Sequence, residues 1–295
     1  MNLSLSRSFP IAKAALAAAV IACTFALACS LIGCASGGTD SSSADAGNTS
    51  ASTDGKTLRV AMELAYPPFE TKDDAGNPEG LAVDFIRDFG AAYGYDVQIE
   101  NTAWDGLIPS LQSDKADLVI SSMTITDERK QSVDFSDAYA MAQLAILANA
   151  DSGVASIDDL NQPGKKVAVK TGSTGDVYAT KNLADAEIVR LADESACVTE
   201  VVQGKADGFL YDQLTIYRNH QASPDTTEAV FIPFQDAEEW GIAVKKGNTE
   251  LLDQLNAFIA QSKTDGEFDR LTEKYLADEK KAFDQYGFKW FFDFE

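Results

Sequence analysis

The chain has 295 residues, with 24 Lys and Arg against 46 Asp and Glu and a single histidine, so its formal net charge is -22. That acidity argues against nucleic acid as a partner, because phosphate binding needs a concentrated basic surface, and against polybasic docking on anionic lipid. His220 alone cannot build a multi-histidine metal site or a supported histidine triad, and no metal or other cofactor is implied.

The chain opens on what reads as an address. Arg7 and Lys13 form a small basic start, and an uncharged apolar run follows from Ala14 to Ile32. This is the layout of a secretory signal, so residues 1–33 are expected to be a signal peptide. The ending Leu31-Ile32-Gly33-Cys34 resembles a bacterial lipobox. That resemblance implies cleavage before Cys34 and a membrane anchor through lipid on Cys34. Cys29 and Cys23 fit the pattern less well. The rivals are a transmembrane anchor, since about 19 apolar residues can span a bilayer, and simple secretion. Residues 35–55 contain no large apolar side chain and cannot offset their ordering entropy, so 34–55 is expected to be a flexible tether. Cys197 lies in an apolar pattern with Ala196, Val198, Val201 and Val202, which predicts a buried structural cysteine.

From Lys56 onward, short apolar runs alternate with helical patterns. Residues 58–62 read as a strand. Leu81, Phe85, Ile86 and Phe89 recur at helical spacing, and Gly90 or Gly94 can end that helix. A strand is expected at 97–100, a short helix at 104–111 and a buried strand at 118–120. A helix opens near Thr126, and another strand covers 144–147. The pattern then starts over: strands at 166–169, 187–191 and 208–210 alternate with helices at 174–183, 194–203 and 214–220. Late strands are expected at 230–232 and 241–244. Leu251, Leu252, Leu255, Phe258 and Ile259 predict an amphipathic helix, and Phe268 and Leu271 another. This alternation places the chain in the α/β class with mainly parallel sheets. Two series suggest two lobes facing across a cleft, with ligand bound beyond the carboxyl ends of the strands.

Three loops carry candidate chemistry. The first, 63–70, contains Tyr66-Pro67-Pro68-Phe69, where two prolines stiffen the presentation of the rings or simply make a turn with core aromatics. The second runs from Ser121 to Arg129. Ser122 and Thr124 offer hydroxyls, the helix start offers N–H donors, and the Arg129 guanidinium can clamp a carboxylate. Its bland alternative is a capped surface helix whose arginine pairs with Asp127 or Glu128. The third, 171–175, lies between a strand and a helix and lacks the lysine of a phosphate-binding loop. Asp212, after a strand and before a helix, can receive an ammonium group or cap the helix.

Taken together, 57–276 resembles the type 3 extracellular solute-binding proteins, the polar amino-acid class that serves ABC importers. The stretches that carry the resemblance include Tyr66-Pro67-Pro68-Phe69, Trp104-Asp105-Gly106-Leu107-Ile108-Pro109 and Thr124-Ile125-Thr126-Asp127-Glu128-Arg129. Phe135-Ser136-Asp137-Ala138-Tyr139, Gly204-Lys205-Ala206-Asp207 and Trp240-Gly241-Ile242-Ala243-Val244 follow in order. The resemblance implies a two-lobe periplasmic-binding-protein-like fold: lobe 1 from 56–142 with 240–277, and lobe 2 from 143–239. It implies that Arg129, helped by Thr124 and Thr174, holds an α-carboxylate. Asp212 would receive the α-ammonium with the backbone near Ser122, Tyr66 and Trp104 would sandwich the side chain, and Glu63 would lie near it. The implied partners are an amino-acid ligand and a membrane permease with its ATPase. Ala138 stands where proline is usual, and Leu81-Ala82 replaces a frequent Phe-Asp. Glu63 with Asp212 leans towards a polar or basic ligand.

Residues 278–295 are a separate matter. Phe283, Tyr286, Phe288, Trp290, Phe291, Phe292 and Phe294 crowd into this stretch, either as a tail packed on a lobe or as a contact patch for a partner. The chief functional rival is an enzyme on the same fold, resembling cyclohexadienyl dehydratase, for which Glu128 or Glu63 would have to supply acid–base chemistry.

Overall fold

The computed structural model describes residues 56–286 and 289–294, with side chains at all but 285 and 286. The signal segment, Cys34 and the tether therefore lie outside the described residues, as do Phe288 and the side chain of Tyr286.

The first lobe begins with β1 (Lys56–Met62), where Leu58, Val60 and Met62 face one core and Ala61 faces another. Side chains on a strand alternate between faces, so a sheet covered on both sides must be apolar at nearly every inner position. A small hairpin, β2 (Thr71–Lys72) with β3 (Pro78–Glu79), leads into α1 (Leu81–Tyr93). Leu81, Phe85, Ile86 and Phe89 form the buried stripe of α1, and Gly94 ends it with φ 74° while its N–H bonds the Gly90 carbonyl. Then come β4 (Tyr95–Asn101), a 3-10 turn (Trp104–Gly106), α2 (Leu107–Gln112), β5 (Leu118–Val119), α3 (Asp127–Lys130) and β6 (Val133–Phe135). Strand β7 (Ala140–Ala142) leaves the lobe.

The second lobe runs through β8 (Leu144–Asn149), α4 (Ile157–Leu160), β9 (Lys166–Lys170), α5 (Thr174–Asn182), β10 (Glu187–Leu191), α6 (Glu194–Val202), β11 (Gly208–Asp212), α7 (Gln213–Ala222) and β12 (Thr227–Val230). Ile146, Val167, Val169 and Leu210 face α5 and α4, while Ala145, Ala168 and Phe209 face α6 and α7. Cys197 is buried in that second layer, and burial pushes its thiol up to about 12. Strand β13 (Glu238–Trp240) returns to the first lobe and pairs with β7 antiparallel, so the two crossings lie side by side. Then β14 (Ala243–Lys245), α8 (Thr249–Ser262), α9 (Glu267–Tyr275) and α10 (Ala277–Tyr286) complete it.

The described residues thus form two five-stranded sheets, ordered β4-β1-β5-β14-β6 and β10-β9-β11-β8-β12. The expectation of mainly parallel sheets needs correction. In each sheet two neighbouring pairs are parallel and two antiparallel. The cause is the double crossing: β8 and β14 each enter a sheet from the other lobe and so run against its βα series. The late strand also moves, to Thr227–Val230 rather than 230–232, because Thr227 to Val230 pair with Asn149 to Ile146, and Pro233 further on has no N–H for a ladder. The strand expected at 241–244 is Ala243–Lys245. The crossings β7 and β13 carry only three residues each, too few to show a period in the sequence.

Candidate functional site

The candidate side chains leave the carboxyl ends of strands in both lobes. Glu63 follows β1, and Trp104 opens the turn after β4. Ser121 and Ser122 come just beyond β5, and Thr174 begins α5 after β9. Asp212 ends β11 and caps α7. All eight expected ligand residues, Glu63, Tyr66, Trp104, Ser122, Thr124, Arg129, Thr174 and Asp212, line one cavity between the lobes. Its volume is about 490 Å³ counted with the part open to solvent.

Arg129 is held by local structure. The Thr126 hydroxyl caps α3 by accepting from the Arg129 N–H at 3.2 Å, which fixes where the side chain starts. Its Nη1 donates to the Thr124 carbonyl at 2.7 Å, and Nη2 reaches the other lobe at the Gly172 carbonyl, 3.2 Å. The guanidinium lies 5.3 Å from the Trp104 ring centroid, a cation–π distance. Loss of water pulls Arg129 down from its usual range, and the charge of Glu238 opposes that. Ser122 holds its backbone at φ 47°, a left-handed conformation uncommon for a non-glycine residue, and its hydroxyl donates to Glu70 at 3.1 Å.

Asp212 does two things at once. Its Oδ1 accepts the N–H groups of Leu214 and Thr215 at 2.9 and 3.1 Å, as a helix cap does. The same oxygen accepts the Tyr66 hydroxyl from the opposite lobe at 2.7 Å, and Oδ2 accepts the Thr215 hydroxyl at 2.9 Å. Burial raises the Asp212 carboxyl, and these four bonds pull it back. Burial also pushes the Tyr66 phenol well up, with the Asp212 charge adding to it, so the phenol keeps its proton and donates. The Tyr66 ring stacks on Phe69 at 5.6 Å and meets Trp240 edge-on at 5.9 Å.

Three residues of the site escaped the sequence reading in their roles. Glu70 is 1 % exposed, and burial pushes its carboxyl well above the usual carboxylate range. Lys170, also buried, pairs with Glu63 across the lobes and lies 5.1 Å from the Trp104 ring. Glu238 accepts the hydroxyls of Thr124 and Thr174 at 2.9 and 2.8 Å. Burial raises its carboxyl while those donors lower it. Glu70 had only a weak signal, as an acid ending the Tyr66-Pro67-Pro68-Phe69 loop after the first strand. Lys170 and Glu238 had none, because a lysine at a strand end and a glutamate opening a three-residue strand are commonplace. Glu128, one of the acids that enzyme chemistry would recruit, is exposed on α3 and does not line the cavity.

Residues 58–278 match the family model of bacterial extracellular solute-binding proteins, family 3. A probable histidine-binding protein of Neisseria gonorrhoeae is 35 % identical over 257 residues, covering 86 % of this chain and 94 % of that protein. An ancestral arginine-binding protein bound to arginine superposes with a TM-score of 0.69 at 36 % identity, over 75 % of this chain and 98 % of that one. A crystal structure of an ancestral amino-acid-binding protein, a precursor of cyclohexadienyl dehydratase, gives 0.68 at 38 % identity over 74 % and 94 %. With its two-lobe fold, its strand-end site and a match across most of its length, the chain belongs to family 3 of the bacterial extracellular solute-binding proteins.

Proposed function

We propose that this protein is the extracytoplasmic substrate-binding component of an ABC importer. It takes up a free amino acid by closure of its lobes and delivers it to the membrane permease and its ATPase. The observation that carries the reading is that one cavity is lined by a cation from one lobe, Arg129, and an anion from the other, Asp212. A zwitterion needs such a pair at a fixed separation, and a ligand touching both lobes gains contacts in the closed state that the open state lacks. Arg129 holds the α-carboxylate, Asp212 the α-ammonium, and Tyr66, Trp104 and Glu63 surround the side chain, which is polar or basic. Lipid on Cys34 tethers the protein to the outer side of the cell membrane. The protein binds and releases without catalysis. That the relatives named above are called binding proteins supports this.

The test is a thermal-shift screen with the twenty proteinogenic amino acids, since a ligand that binds only the folded state raises its stability by mass action. At a ligand concentration about a thousandfold above Kd the gain is about 4 kcal/mol. Arg129→Ala is expected to abolish the response to the best ligand while the circular dichroism spectrum stays native. An unchanged response sinks the carboxylate clamp, and turnover of prephenate or arogenate sinks the non-catalytic reading.

A further inference from the structure

Glu238 stands on β13, the strand by which the chain returns between the lobes. Three parts of the molecule meet at its carboxylate. Thr124 of the first lobe donates to Oε2 at 2.9 Å, and Thr174 of the second donates to the same oxygen at 2.8 Å. Gln235 donates to Oε1 at 2.7 Å. The charge of Arg129 acts on the same group.

These hydroxyls and this cation are the ones that the reading above assigns to the ligand's carboxylate, and the inference rests on that reading. A hydroxyl has a single proton to donate. Thr124 and Thr174 both direct theirs at Glu238. While they do, an incoming carboxylate meets two hydroxyl oxygens with no proton to offer and a like charge beside them. Charge-assisted bonds of this kind are the stronger ones, so the arrangement opposes entry.

We propose that Glu238 is an internal competitor for the ligand's carboxylate: it takes the hydroxyl protons of Thr124 and Thr174 and gives them up when an amino acid binds. Because Thr124 and Thr174 belong to different lobes, the same bonds link the lobes through Glu238, and a ligand must exchange them for its own. Binding-competent molecules are then a fraction of the total, and the apparent affinity falls by that fraction. Glu238 is half-buried and lines the cavity, so the competition is between its carboxylate and the ligand's within one site.

The experiment compares the full chain with Glu238→Gln and Glu238→Ala. The Gln variant keeps the shape and removes the charge, which covers the case in which the Ala variant folds poorly. Each is titrated calorimetrically with the twenty proteinogenic amino acids, and each empty protein is measured by small-angle X-ray scattering. For the amino acids that bind the wild type, Kd is expected to fall at least about tenfold in the Ala variant and by less in the Gln variant. The empty Ala variant is expected to show a larger radius of gyration than the empty wild type. A structural role for Glu238 would instead weaken binding. Unchanged or weaker binding in both variants, with the wild type still binding, overturns the competitor. Silence of all three proteins towards every amino acid overturns the amino-acid reading, and the competitor with it.

Discussion

At the cavity wall, single side chains already have partners. Asp212 holds four hydrogen bonds, so an α-ammonium must take the place of the Tyr66 hydroxyl or share its oxygen. Glu63 is held by Lys170, which also lies over the Trp104 ring. A cationic ligand side chain seeking Glu63 would meet that lysine. Lys170→Met is therefore expected to move the thermal-shift response towards Arg, Lys and ornithine and away from neutral side chains. An unchanged ranking would separate Lys170 from ligand choice. The half-buried Glu194 offers a pH test. Loss of water around its carboxyl, with Asp212 nearby, pushes it from 4.5 up to about 8. A raised acid favours the protonated folded state, so its stabilising contribution is present below 4.5 and is lost as pH rises through about 8. Melting temperature should fall more steeply over that window in the wild type than in Glu194→Gln. Parallel curves would contradict this.

At the scale of elements, the site depends on how closely helices seat on strands. Gly175 lies in the first turn of α5, and a Cβ there would stand 2.4 Å from the Leu210 carbonyl oxygen on β11. No side chain fits that gap, so α5 must lift from the sheet and carry Thr174 with it. Gly175→Ala is expected to cost about 1–3 kcal/mol in denaturant unfolding, as overpacking usually does, and to weaken ligand binding as well. A cost near zero would mean the helix seats loosely. The same logic applies on the other side of the cleft, where the Thr126 cap sets the start of α3 and so the reach of Arg129.

The whole molecule is tied together behind the cleft by aromatic rings. Phe283, Trp290 and Phe291 are buried in the core of the first lobe, and Phe291 meets Phe69 at 5.1 Å and Trp240 at 5.5 Å. Its carbonyl accepts the N–H of Met141 on the crossing strand β7 at 2.7 Å. The C-terminal rings therefore back the same Phe69 on which Tyr66 stacks. Phe291→Ala is expected to cost about 3–5 kcal/mol, the range for removing a buried phenylalanine. Chemical denaturation measures it, and a loss below about 1 kcal/mol would place this ring outside the cooperative core.

Much of this was legible in the chain itself. The helical spacing of Leu81, Phe85, Ile86 and Phe89, the strand at 187–191 and the Thr126 cap all follow from local periodicity and capping, and they appear where the residues put them. So does the delivery of Glu63 and Asp212 to strand ends, because each closes or follows an apolar run. What the chain could not reveal is which strand ends face each other. The Lys170–Glu63 pair spans 107 residues and the Thr124–Glu238 bond 114. The first is chosen by the approach of two lobes and the second by the pairing of residues 123–125 with the returning strand β13, not by anything near them in sequence. The antiparallel halves of the sheets have the same origin, since they arise from the chain crossing between lobes twice. Local residues determined the elements and the stock of polar groups. Only tertiary packing decided which of those groups lie bonded to one another in the cleft, because a hydrogen bond or ion pair across it forms only once both lobes are folded and brought together.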